Sequence, residues 1–195
     1  MNNLHELIEK YGSDKNASNY TDSYLKFFEP LKDKQLNILE IGLGTIVPGA
    51  KSSMHDWKTN QVEDYKPGAS LRVWQDYFPN SMIYGGDIQE DTQFTDDRIK
   101  TFLFNSQNGI ECNQTLQDLT FDIIIDDGDH DALSQIKTIY NLISRVNPKG
   151  FYVIEDVTPG NADQILPFLA PLIQILNLEA YITEPEKNLI ILKFN

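Results

Sequence analysis

Five short apolar runs restrict the fold more than anything else in the chain: Asn37-Ile-Leu-Glu-Ile-Gly42, Met82–Asp87, Ile99–Phe104, Phe121–Asp126 and Gly150–Glu155. Each is too short for a buried helix and is bounded by Gly, Pro, Asn or Asp, so each predicts a buried strand. Between most of them the apolar residues return at helical spacing, over Ala69–Tyr77, Gly109–Leu119 and Asp131–Val146. The last of these sets Leu133, Ile136, Ile139, Tyr140 and Ile143 on one face. Strands that alternate with helices form a parallel sheet covered on both sides, because a parallel pair needs a crossover. Upstream, Leu4–Lys10 predicts a short amphipathic helix ending in the turn Tyr11-Gly-Ser-Asp-Lys15. A second helix from near Thr21 places Tyr24, Phe27, Phe28 and Leu31 at helical spacing. At the other end, Leu176–Thr183 and Asn188–Phe194 are separated only by Glu184-Pro-Glu-Lys187, too short for a crossover, so they must pair antiparallel. The expected fold is α/β: a Rossmann-like, doubly wound, mostly parallel sheet with a C-terminal antiparallel hairpin. It is expected to be one domain over 1–195, with a helical segment at 1–35 and a long loop at 45–68.

Charge narrows the partners. With 29 acidic and 16 basic side chains the formal charge is −13, and no basic stretch interrupts it, so nucleic acid and anionic membrane surfaces would be repelled. Cys112 is the only cysteine, which excludes an internal disulfide or a multi-thiolate zinc site and fits a reducing compartment. The N-terminus lacks the apolar core of a signal peptide, and no run approaches the roughly 20 apolar residues of a membrane span. The expectation is a soluble, cytoplasmic protein; a homo-oligomer stays open.

Ligands of an open parallel sheet sit beyond the carboxyl ends of its strands, where strand order reverses. The first run ends in Glu40-Ile-Gly42-Leu-Gly44, whose glycines let backbone amides approach a ligand beside a carboxylate. The third glycine of a dinucleotide fingerprint is missing. The next helix opens only at Pro67-Gly-Ala-Ser70, where Ser70 and free amides could hold a carboxylate. Asp87 stands where an acid commonly accepts hydrogen bonds from ribose hydroxyls, and Asn105-Ser106-Gln107 offers neutral polar contacts to an adenine; turn and loop roles are the alternatives.

The fourth run brings Phe121-Asp-Ile-Ile-Ile-Asp126-Asp127-Gly-Asp129-His130 and the fifth brings Ile154-Glu155-Asp156, so neighbouring strands end in acidic pairs on one rim. Like charges so close would raise one another's pKa, whereas a divalent cation would keep them ionised and use their oxygens as ligands. Carboxylates without cysteine favour a hard ion such as Mg²⁺. The alternative is that Asp127 and Asp129 cap the helix beginning near Asp131. His130, beside that cation, is placed to act as general base. His5, His55 and Trp57 lack comparable company, and Trp74 falls on an apolar helix face.

These motifs together, with Gly68-Ala-Ser-Leu-Arg72-Val-Trp74 and Tyr84-Gly-Gly-Asp87-Ile, resemble the class I S-adenosylmethionine-dependent methyltransferases. Within that class they resemble the metal-dependent sugar O-methyltransferases of the macrocin and mycinamicin type, from about Tyr11 to Val157. The resemblance implies a cofactor over Glu40, Gly42, Ser70 and Asp87, with Asp126 near its methionine part. It implies Mg²⁺ held by Asp127, Glu155 and Asp156, gripping two adjacent hydroxyls of a sugar, one of which His130 deprotonates. It places Gly12-Ser-Asp-Lys15 and Tyr20 on the substrate side. The chain departs from the family in carrying Asp129 where serine is usual, an acid that either tunes the metal or caps the helix, and in lacking a histidine-rich pair near Asn19-Tyr20. It also lacks the large N-terminal extension of antibiotic-tailoring members, so no macrolide is implied. A nicotinamide-dependent sugar oxidoreductase and a non-catalytic cofactor-binding subunit are the competing readings.

Overall fold

The computed structural model describes residues 3–16, 20–51, 53–54, 65–183 and 189–195. His55, Trp57, residues 52 and 55–64 of the long loop and the connection at 184–187 lie outside the described residues. The strands are β1 (Asn37–Ile41), β2 (Met82–Asp87), β3 (Thr95–Asp96), β4 (Ile99–Leu103), β5 (Phe121–Asp126), β6 (Val146–Ile154), β7 (Glu179–Ile182) and β8 (Ile190–Lys193). They form one sheet in the order β3-β4-β2-β1-β5-β6-β8-β7. β4, β2, β1, β5 and β6 run parallel, and β8 returns antiparallel between β6 and β7. The mostly parallel sheet and its C-terminal hairpin are therefore as the apolar runs predict. Strand order reverses between β1 and β5, which puts the ends of the Glu40 and Asp126 strands side by side.

The strands read as continuous apolar runs because both faces are buried. Side chains alternate between faces: Ile38, Ile123, Ile125 and Val153 join one core, while Leu39, Ile124, Tyr152 and Ile154 join the other. Helices α1 (Leu4–Tyr11), α2 (Thr21–Phe28) and α3 (Ala69–Tyr77) cover the first face, and α4 (Gly109–Leu116), α5 (Ala132–Leu142) and α6 (Pro159–Ile175) cover the second.

Two sequence expectations need correction. α5 buries Ile139, but Leu133 and Tyr140 are 56% and 70% exposed, so the five-residue apolar face is divided between core and surface. The buried side of α5 includes Gln135 and Thr138 instead. The segment after β6, to which the strand and helix patterns assign nothing, forms the 17-residue α6 despite Pro167 and Pro171 within it. Thr158 caps it and Pro159 opens it, a regular helix start. Among the described residues no helix is long and apolar enough to cross a membrane.

Candidate active site

A cavity opens at the carboxyl ends of β1, β2, β4 and β5, walled by the loops that follow them. Its floor is the turn after β1. Gly42 has φ +88°, and a Cβ there would lie 1.9 Å from the Asp127 carbonyl oxygen, so only glycine lets the β1 and β5 loops approach this closely. Backbone bonds stitch this rim: Gly42 N–H donates to Gly86 O (2.9 Å), Asp127 N–H to Ile41 O (2.9 Å) and Glu155 N–H to Asp126 O (2.9 Å). Gly44, at φ +71°, lies under the Tyr65 hydroxyl, which donates to the Gly44 carbonyl at 3.2 Å.

The residues expected to hold a cofactor separate into two groups. Gly42, Gly44, Ser70, Asp87, Ser106 and Gln107 line the cavity. Asp87 accepts hydrogen bonds from the Leu43 and Gln89 amides (2.8 and 2.9 Å), while burial pushes its carboxyl up. Ser106 shares a hydrogen bond with Thr138 of α5 (3.0 Å). Glu40 and Asp126 lie beneath the wall and are buried. Burial pushes the Asp126 carboxyl up to about 8, and its Oδ2 has no hydrogen-bond partner among the described residues. Glu40 Oε2 accepts from Trp74 Nε1 (2.9 Å), whereas Oε1, 3.0 Å from the Lys15 ammonium, has no well-aligned donor. Buried acceptors short of a donor, beside a glycine turn and the N-terminus of α3, suit a ligand that brings donors or positive charge.

The predicted metal acids also divide. Asp127 and Asp156 reach the cavity with His130, and one ligand atom from each lies within 4.8 Å of the others. His130 Nε2 is 3.4 Å from Asp127 Oδ1 and Nδ1 is 3.3 Å from Asp156 Oδ2. Burial alone would lower the His130 pKa, but the two carboxylates outweigh it and raise it to about 9. Its backbone carbonyl accepts from Asn161 of α6 at 2.6 Å, which fixes the turn that presents it. Glu155 turns the other way, under the first face of the sheet, where Lys15 and the Tyr24 hydroxyl hold its carboxylate. A second acidic group, Glu40, Asp127 and Glu155, surrounds that lysine. Burial opposes the Lys15 charge, yet the three acids keep its ammonium well above the usual lysine range.

Tyr20, expected on the substrate side, is 2% exposed and donates to Asp156 Oδ1 at 2.5 Å, so it positions an acid instead of facing a ligand. Asp129 neither caps α5 nor joins the acids around His130. The cap is Asp131, whose side chain accepts from Leu133 N–H, while Asp129 bonds Ser134 Oγ (2.8 Å) and Lys51 Nζ (2.6 Å). These bonds outweigh burial and hold its carboxyl below the usual range. Tyr24, Lys51 and the Trp74 indole N–H are site-building groups that residue patterns do not assign. Lys15, which the resemblance sets on the substrate side, is buried among Glu40, Asp127 and Glu155.

Sheet order, hairpin and glycine turn together define the class I methyltransferase fold. Its homologues are sugar O-methyltransferases of the macrocin, mycinamicin and tetracenomycin type. The chain is 31% identical over 157 residues to the 8-demethyl-8-alpha-L-rhamnosyl tetracenomycin-C 2'-O-methyltransferase of Streptomyces olivaceus, covering 77% of this chain and 36% of that one. It is 32% identical over 159 residues to the demethylmacrocin O-methyltransferase of Streptomyces fradiae, covering 79% and 36%. The chain thus spans about a third of the length of the curated relatives it matches. Among solved structures, the MycE methyltransferase from the mycinamycin biosynthetic pathway, in complex with Mg, SAH and mycinamycin VI, superposes with TM-score 0.77 at 25% identity, over 100% of this chain and 55% of that one. Human methyltransferase-like protein 13 with SAH shares the fold, with TM-score 0.58 at 19% identity over 92% and 80%. No family model matches the chain.

Proposed function

We propose that the chain is a S-adenosylmethionine-dependent, Mg²⁺-dependent O-methyltransferase that acts on a hydroxyl of a sugar carried by a glycoside, glycan or nucleotide. The observation that carries this reading is the meeting of Asp127, His130 and Asp156 at the cavity wall, across the strand-order switch from the Gly42–Gly44 turn. The names of the homologues support it over a nicotinamide-dependent reaction or a non-catalytic role.

The cofactor would lie over Gly42, Gly44, Ser70 and Asp87, with Ser106 and Gln107 toward its base and Glu40 and Asp126 beneath its amino-acid end. Asp127, Asp156 and Glu155 would hold the metal. When bound, the two groups supply a sulfonium methyl and an acidifying charge at the sugar hydroxyls. Methyl transfer to an alcohol then needs alignment and proton removal. Alignment falls to the stitched strand ends, which fix Asp127 and Asp156 relative to the glycine turn. Proton removal falls to His130, which lines the cavity between the two acids. Tyr20 and Asn161 keep Asp156 and the His130 turn in place. The negative charge of the chain argues against a polyanionic partner, and the single thiol Cys112, buried, accords with a reducing cytoplasm.

A methyl-transfer assay over a panel of glycosides and sugar nucleotides, with labelled S-adenosylmethionine, tests the proposal. Transfer to a hydroxyl is expected in Mg²⁺ and not after exhaustive chelation. Turnover unchanged by chelation would remove the metal from the reaction, and NAD binding without S-adenosylmethionine binding would overturn the whole reading.

A further inference from the structure

The ammonium of Lys15, 1% exposed, lies 2.7 and 2.8 Å from the two oxygens of Glu155, 3.1 Å from Asp127 Oδ2 and 3.0 Å from Glu40 Oε1. One oxygen from each of those three acids lies within 4.8 Å of the others, so the lysine stands where a small cation ligated by all three would stand. Two of its partners, Asp127 and Glu155, are acids assigned above to the divalent ion. We propose that Lys15 is the chain's own occupant of the inner half of the metal cradle: it holds Asp127 and Glu155 in place when no divalent ion is bound, and it competes with that ion for them.

The inference rests on the metal reading and follows from charge. Carboxylates this close need a compensating cation, or they repel and take up protons. An ammonium offers one charge and three donors, and here it bonds Glu155 and Asp127 while Glu40 is paired with it by charge. A divalent ion offers two charges and draws oxygens into a tighter shell. An ion drawing on the Glu155 oxygens would share them with the ammonium, and two cations a few ångströms apart repel even at an effective interior dielectric of about 20. Packing can hold Lys15 there but cannot remove that repulsion, so charge decides the sign: the lysine weakens metal binding while it stabilises the metal-free fold. Its segment is built around these acids. The Lys15 carbonyl accepts from Tyr20 N–H (3.1 Å), Tyr20 holds Asp156, and Tyr24 holds Glu155. Because Ser13 and Asp14 line the cavity, displacement of Lys15 is felt at the cavity wall.

Mn²⁺ binding and melting temperature, measured on the full chain, on Lys15→Met and on Lys15→Arg, test this. Lys15→Met should melt lower than wild type without metal, bind Mn²⁺ about tenfold more tightly or better, and gain more in melting temperature when metal is added. Lys15→Arg, which keeps the charge, should bind no more tightly than wild type. If Lys15→Met folds only in Mn²⁺, the competition is supported; if saturating Mn²⁺ does not rescue it while Lys15→Arg folds, the competition is overturned. Equal or weaker Mn²⁺ binding by folded Lys15→Met overturns the competition and leaves the metal reading standing. Absence of binding by wild type and Lys15→Met alike overturns both.

Discussion

His130 stands between two carboxylates, one at each ring nitrogen, and this arrangement is what recommends it as the base of the proposed reaction. The same acids that orient the ring raise its pKa, so their compensation by a metal and its readiness to accept a proton belong together. His130→Ala should lower turnover by about 10²- to 10⁴-fold while leaving S-adenosylmethionine affinity intact, as steady-state kinetics and calorimetry would show. Wild-type turnover in that variant would exclude it as the base. His130, Asp127 and Asp156 were legible in the sequence because they cluster directly after apolar runs whose period is unmistakable. The surroundings of Tyr20 and Asp129 were not legible for a physical reason: each is held by a partner distant in the chain, Asp156 in one case and Lys51 in the other, and Asp129 still lines the cavity. No local spacing reports such a partner.

Helix α3 shows how one element serves both packing and site. Its buried face places Trp74 edge-on to Tyr24 (5.3 Å between ring centroids) and sends the indole N–H back to Glu40 Oε2. The sequence marks Trp74 as core, which it is, but periodicity is silent on where a polar tip points. Trp74→Phe should keep the packing and strand a buried carboxylate oxygen, costing about 1–3 kcal/mol. Its expected signature is a lower melting temperature together with weaker S-adenosylmethionine binding; loss of stability with unchanged cofactor affinity would confine Trp74 to the core. Helix α6 was illegible for a different reason. Prolines inside a helix ordinarily break it, yet Pro167 and Pro171 are four residues apart and share the exposed strip, so the carbonyls they leave unpaired can turn to water while Ile165 and Leu169 stay buried.

For the whole molecule, the mostly parallel sheet and its hairpin followed from run lengths and connection lengths alone, whereas the electrostatic centre did not, because it is assembled from segments far apart in sequence. Its pH response should be visible in overall stability. Asp126 is raised to about 8 and His130 to about 9, and a group raised in the folded state stabilises the fold fully below its unfolded pKa and loses that contribution as pH rises through the folded value. Both therefore act in the same direction, and the metal-free protein should melt at a lower temperature at pH 9 than at pH 6. Differential scanning calorimetry in chelator would check this, and Asp126→Asn should flatten the part of the slope below about pH 8. A rise in melting temperature over that window would contradict the assignment. The lysine at the centre of the acids also constrains assembly in time. Lys15 and Glu155 are 140 positions apart, so on the ribosome their contact must wait until most of the chain has emerged. Until then Glu40 is the one acid of the three that Lys15 can close upon, and the Lys15 segment is expected to be among the last to lock in place although it is among the first to be synthesised.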